Sequence, residues 1–159
     1  MHSSAIRSAA ADRGAQQAVV DTQVVLDWLV FRDPGSAALA TAIESGSLRW
    51  LTSQPMRDEL EHVLGRGVAS AWQPDRAAIA RAFDRHAQMV DLAAPPGQPL
   101  RCSDPDDQIF IDLALANGAE WLFTRDRALL RLARRARGRG LIVLRPVDWE
   151  PSMAPVPRR

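Results

Sequence analysis

The stretch CSDPDDQIFIDLALANGAEWLFTRD, from Cys102 to Asp126, leaves the chain few ways to fold. It joins an acidic helix start, an apolar helix body, a glycine stop and a short strand that ends on another aspartate. Asp104 suits the N-cap and Pro105 the first helical position, while Asp106 and Asp107 fall in the first turn, where carboxylates complement the helix dipole. Ile109, Phe110, Leu113 and Ala114 recur at helical spacing, Asn117-Gly118 closes the helix, and Trp121-Leu122-Phe123 reads as a buried strand. Thr124-Arg125-Asp126 then places a hydroxyl and a carboxylate beyond the carboxyl edge of a sheet, where open α/β folds bind ligands.

The rest of the chain alternates in the same way. Ala18-Val19-Val20 is a short apolar strand that stops at Asp21-Thr22, and helix-compatible sequence runs from Val24 to Phe31 until Asp33-Pro34-Gly35 breaks it. Ser36 is expected to cap a helix through Ile43, Leu48 to Leu51 to form a strand, and Ser53, with Pro55 behind it, to cap a third helix. A fourth helix is expected over Pro74 to His86 with Ile79 and Phe83 inward. A strand over Met89 to Leu92, a proline-rich loop over Ala93 to Pro99, a basic helix over Ala128 to Ala136 and a last strand over Leu141 to Leu144 complete the pattern. Strands alternating with helices imply an α/β fold, a three-layer sandwich with a mostly parallel central sheet and helices on both faces. One domain over residues 17–149 is expected, between loose tails at residues 1–16 and 150–159.

Several function classes drop out early. The net charge of +1 creates no overall field for a nucleic-acid partner, and the 20 cationic side chains are all arginine, with no lysine. That absence removes P-loop nucleotide binding and the phospho-acceptor aspartate domains that need a lysine beside the aspartate. The one cysteine, Cys102, can form no internal disulfide and has no metal-site companion, which suits a reducing cytoplasm. No apolar run approaches membrane-spanning length.

Four acids remain to be explained. Asp21 and Asp126 emerge at carboxyl ends of strands, and Asp107 lies in a helical first turn. Glu59 falls between Met56 and Val63, on the apolar stripe of the third helix, where a carboxylate either needs a partner or is a boundary glutamate reaching solvent or an arginine. If these acids converge, like charges raise one another's pKa until protons or a cation neutralise them. An oxygen-only ligand set favours Mg²⁺ or Mn²⁺, and such an ion can activate water and hold a phosphodiester for in-line attack. Thr22 and Thr124 would orient ligands or water.

Asp21-Thr22 after a first strand, Glu59 in a helix opened by Ser53 and Pro55, Asp107 ahead of Gln108 to Leu115, and Thr124-Arg125-Asp126 together resemble the acidic quartet of PIN-domain nucleases. The run Asp104-Pro105-Asp106-Asp107 resembles a bacterial subgroup described as VapC-like toxins of toxin–antitoxin systems. The likeness covers about Gln17 to Trp149. It implies that Asp21, Glu59, Asp107 and Asp126 are catalytic and carry one or two Mg²⁺ or Mn²⁺ ions, with RNA as substrate. It further implies a cognate antitoxin protein as partner, and homodimers are common among such proteins. The third residue of the first motif, commonly Asn or Ser in that family, is Gln23 here, a longer amide at the first strand–helix turn. The inactive alternative is a module of the same fold that only binds RNA or protein. Asp107 fits the family's spacing better than Asp104 or Asp106; Asp104 suits the cap and is an auxiliary candidate for the site, and either Asp104 or Asp106 could join it.

Other residues have plainer readings. His2, His62 and His86 are scattered, which gives no catalytic dyad. Arg127, Arg131, Arg134, Arg135, Arg137 and Arg139 form a basic run, either a solvated helix face or a track for a phosphate backbone. Arg125, Arg127 and Arg131 lie nearest the acids. The five tryptophans sit mostly in apolar runs and suit the core, Trp72 least of all.

Overall fold

Alternation along the short strands builds the centre of the molecule, which a computed structural model describes over residues 15–157. The expected N-terminal tail lies outside the described residues through position 14, and so do the last two arginines. Five strands, β1 (Gln16–Val20), β2 (Leu48–Thr52), β3 (Ala87–Met89), β4 (Trp121–Phe123) and β5 (Ile142–Leu144), form one sheet in the order β3-β2-β1-β4-β5. Every neighbouring pair is parallel. The period of two sends Ala18, Val20, Trp50, Trp121 and Phe123 to one face and Val19, Leu51, Leu122 and Val143 to the other.

Parallel strands need crossovers, and helices supply them on both faces. The first face receives α1 (Thr22–Leu29), α2 (Ala37–Ser45), α3 (Gln54–Gly65) and α4 (Arg76–His86). The second receives α5 (Gln108–Ala116), α6 (Arg127–Leu130) and α7 (Ala133–Arg137). The result is the three-layer α/β sandwich expected from the sequence. Aromatic rings fill the first face: Trp50 lies 5.2 Å from Trp28 and 4.6 Å from Phe83 between centroids.

Several local expectations change. The third strand starts at Ala87, directly after α4, instead of at Met89. It is an edge strand whose Met89 is exposed, so hydrophobicity misplaces it, and pairing continues only to Val90, whose N–H donates to the Thr52 carbonyl at 2.8 Å. The helix expected over 128–136 is two short ones, because Leu129 and Leu132 both enter the core and the chain tightens between them. Ser36 makes no side-chain cap; a 3-10 turn over Pro34–Ser36 leads into α2 instead. Ser53 does cap α3, accepting from the Met56 N–H. Met153 packs against the core on the first face. Among the described residues no helix is long and apolar enough to cross a membrane.

The strand order decides where a ligand can sit. From β1 the chain moves outward through β2 to β3, then returns to β4 on the other side of β1. Crossovers therefore leave on opposite faces at β1 and β4, which opens a crevice beyond their carboxyl ends. Asp21 ends β1 and Asp126 follows β4, so both reach that crevice, and the Asp21 N–H still bonds the Phe123 carbonyl at 3.1 Å.

Candidate active site

Asp21 is held before it can act. It is the N-cap of α1, its Oδ1 accepts from the Val24 N–H at 2.9 Å, and its Oδ2 accepts from the Thr124 hydroxyl. It is also buried, and burial raises its pKa to about 6 against the lowering pull of those two donors. Thr124, fully buried, links two acids: its hydroxyl donates to Asp21 and accepts from the Asp126 N–H at 2.9 Å. Asp126 in turn caps α6, accepting from the Ala128 N–H at 2.7 Å.

Asp107 arrives from the other side, at the end of a 3-10 turn over Pro105–Asp107 that precedes α5. Asp104 caps that turn through the Asp106 N–H at 3.0 Å. Gln108 ties the incoming loop in place, accepting from the Cys102 N–H and donating to the Leu100 carbonyl, both at 2.8 Å. Oxygen atoms of Asp104, Asp107 and Asp126 lie within 4.8 Å of one another. Asp107 Oδ2 is buried and meets no donor among the described residues. Its strongest neighbour is the Asp126 carboxylate, which can bond it only through a shared proton. Desolvation first, then Asp126 and Asp104, push the Asp107 pKa up to about 7. A carboxylate oxygen buried without a donor and facing two other acids can be satisfied by a proton or by a cation.

Asp21, Glu59, Asp106, Asp107 and Asp126 line one cleft of about 650 Å³, together with Thr22. The acids that the sequence scatters thus meet in one volume. The tightest set also includes Asp104, which the sequence offered as a cap and as an auxiliary candidate: it caps the 3-10 turn, and its carboxylate lies beside those of Asp107 and Asp126. Glu59 is exposed at the cleft wall and does not lie on the buried stripe of α3, which is Met56, Leu60 and Leu64. The face of α3 turned to the cleft borders its core face, so this carboxylate reaches solvent and needs no buried partner.

Two further sets of residues escaped the sequence reading. Asp27 is buried on α1 and holds Arg125 through both oxygens, at 2.6 and 3.0 Å. Gln23 donates to the same carboxylate at 3.1 Å, so the longer amide at this position has a structural task. This ion pair fastens the Thr124–Asp126 turn to α1, with about half of the Arg125 side chain still exposed. An aspartate one helical turn after Gln23 in an otherwise apolar helix was the available signal. His62 and Arg66, three and seven residues beyond Glu59, also line the cleft.

Arg127 and Arg131 are exposed, whereas Arg139 is spent on the proline-rich loop, donating to the Gln98 carbonyl at 2.7 Å and to that of Pro96. Cys102 is buried, and burial holds its thiol above its ordinary pKa, which leaves it a protonated packing residue.

The Asp27–Arg125 pair gives an asymmetric expectation. Arg125→Ala strands a buried carboxylate and is expected to cost about 2–4 kcal/mol, whereas Asp27→Asn frees a half-exposed arginine and costs about 1 kcal/mol. Urea unfolding of both variants checks the order; a larger loss from Asp27→Asn would contradict it.

The model of a family described as the PIN domain matches residues 17–128. No curated protein matches the chain.

Proposed function

The chain belongs to the PIN domain family, a nuclease-type fold, and from that premise and the geometry of the cleft we propose that it is a Mg²⁺- or Mn²⁺-dependent endoribonuclease. The observation that carries the reading is the donorless Asp107 Oδ2, buried within 4.8 Å reach of Asp104 and Asp126 oxygens. Asp107 and Asp126, with Asp104 beside them, would hold one hard cation. Asp21 offers the lone pairs left over from Val24 and Thr124, and Glu59 reaches in from α3. Held by these carboxylates, a divalent cation would supply Lewis acidity to activate a water and to offset charge building on the phosphate.

The chain's own groups do the positioning. Thr124 fixes Asp21 and Asp126 in one register, and the Arg125–Asp27 pair fixes the turn that carries them. Desolvation and the neighbouring acids hold the Asp107 pKa near 7, so a cation bound below that pH displaces a proton from it, and its apparent affinity rises as pH climbs toward about 7. Exposed Arg127 and Arg131, one and five residues past Asp126, offer contacts for an RNA backbone.

The acidic run from Asp104 to Asp107 supports placing the chain among toxins of toxin–antitoxin pairs, acting in the cytoplasm as a homodimer with a small protein antidote. Cleavage of a labelled mixed RNA pool tests the enzymatic reading: cuts are expected with Mg²⁺ or Mn²⁺ and none with chelator. Cutting that persists in chelator would overturn it. Growth arrest on expression, relieved by a neighbouring small gene product, tests the toxin role separately.

A further inference from the structure

Glu59 is not alone on its wall of the cleft. His62 on α3 and Arg66, its C-cap, follow at spacings of three and seven, on the same side of the helix, and Val68 lines the cleft beyond them. His62 and Arg66 are exposed, and neither enters an ion pair among the described residues. The chain then turns through Gly67, whose φ of +77° favours glycine, into a short turn over Ser70–Trp72.

That turn leaves Trp72 60% exposed, while the other four tryptophans are buried. Phe31 braces the indole edge-on at 5.2 Å, and most of its remaining surface faces water. The residues directly after these two rings, Arg32 and Gln73, are the non-glycine residues with left-handed backbone among those described, at φ 49° and 47°. Such backbone is uncommon for L side chains and concentrates where a loop is held in one shape for use. Beside Trp72 lies a cavity of about 400 Å³ that Arg32, Glu44, Gln73 and Asp75 also line. A flat aromatic wall with donors and acceptors around it matches a nucleobase, which has a π face and a polar edge. Two exposed apolar side chains, Val68 and Trp72, set among these charged groups fall short of the continuous apolar centre of a protein interface.

We infer that Trp72 and the cavity beside it hold one unpaired base of a single-stranded RNA, whose neighbouring phosphates lie along Arg66 and His62 on the way to the acids. The inference rests on the ribonuclease reading and adds to it a base-binding subsite at Trp72, outside the acidic cleft. A base kept in a duplex presents no free face to the indole; an unpaired one does.

The test is binding of a short labelled single-stranded RNA of mixed sequence, and of its duplex, to the full chain in chelator. Cleavage plays no part there, so an inactive protein would still report binding, and failure of the two readings stays distinguishable. The single strand is expected to bind more tightly than the duplex. Trp72→Ala is expected to weaken single-strand binding about tenfold or more, and Trp72→Phe, which keeps a ring, less than about threefold. Acrylamide quenching of the native chain reads Trp72, because the other indoles are buried, and RNA should suppress it. Single-strand binding that leaves Trp72 quenchable and survives Trp72→Ala would overturn the inference, and so would equal affinity for the duplex. Absence of RNA binding would overturn it too; if Trp72→Ala then altered sedimentation of the chain by itself, the ring would belong to a contact between copies.

Discussion

Asp107→Asn is expected to lower RNA cleavage by more than about 100-fold, since even indirect partners of metal ligands cost up to that much. The same substitution is expected to stabilise the metal-free protein at alkaline pH. Asp107 has a folded-state pKa near 7 against an ordinary value of 3.8, chiefly through desolvation and then the charges of Asp126 and Asp104. Between those two values the folded chain keeps a proton that the unfolded chain has lost. Stability of the metal-free protein therefore falls as pH rises through that window, and the deficit is complete above about pH 7. Allowing for solvent at this half-buried group, the deficit is about 1–2 kcal/mol. Asparagine does not titrate, and its amide can donate to Asp126. Thermal melts in chelator should show the variant ahead of the native chain at pH 8, with the gap closing toward pH 4. A variant less stable at every pH would mean that Asp107 is a structural group.

The second large effect belongs to Thr124. Valine has the same shape but can neither donate to Asp21 nor accept from the Asp126 N–H. Thr124→Val is expected to reduce cleavage about 10- to 100-fold and to cost about 1–3 kcal/mol, because it leaves buried polar groups unpaired. It should also move the acid limb of the pH–rate profile upward. Asp21 already titrates near 6 because burial outweighs its two donors, and removing the Thr124 donor removes one of the lowering influences. Thr124→Ser keeps the hydroxyl and should keep the profile. An unchanged acid limb in Thr124→Val would separate Asp21 from the rate-limiting ionisation.

The site was legible in the sequence where chemistry follows directly from local structure. Asp21-Thr22 and Thr124-Arg125-Asp126 follow apolar strands, and in a parallel sheet strand ends are where side chains leave the core. Asp107 was legible because an acidic first turn precedes an apolar helix. For Glu59, helical periodicity left a buried carboxylate and a boundary one reaching solvent equally open; it is exposed, on the face of α3 that lines the cleft. For Asp104 the sequence left a cap and an auxiliary place at the site both open. A capping aspartate explains itself locally, and only the approach of Asp107 and Asp126 brings its carboxylate into the acidic set. The Asp27–Arg125 pair joins residues 98 positions apart, a contact that no local pattern encodes. The edge strand β3 escaped its register because its exposed Met89 carries the hydrophobicity of a core position.

Cation uptake itself tests the shared acidic cleft most directly. Mn²⁺ or Mg²⁺ titrated into the metal-free chain near pH 6.5, in buffers of different ionisation enthalpy, should give binding with release of protons, because Asp107 is then largely protonated. Asp107→Asn should lose both the proton release and most of the affinity. Uptake with no proton release and equal affinity in Asp107→Asn and Asp126→Asn, or no uptake of either ion, would contradict a cation site built from these acids.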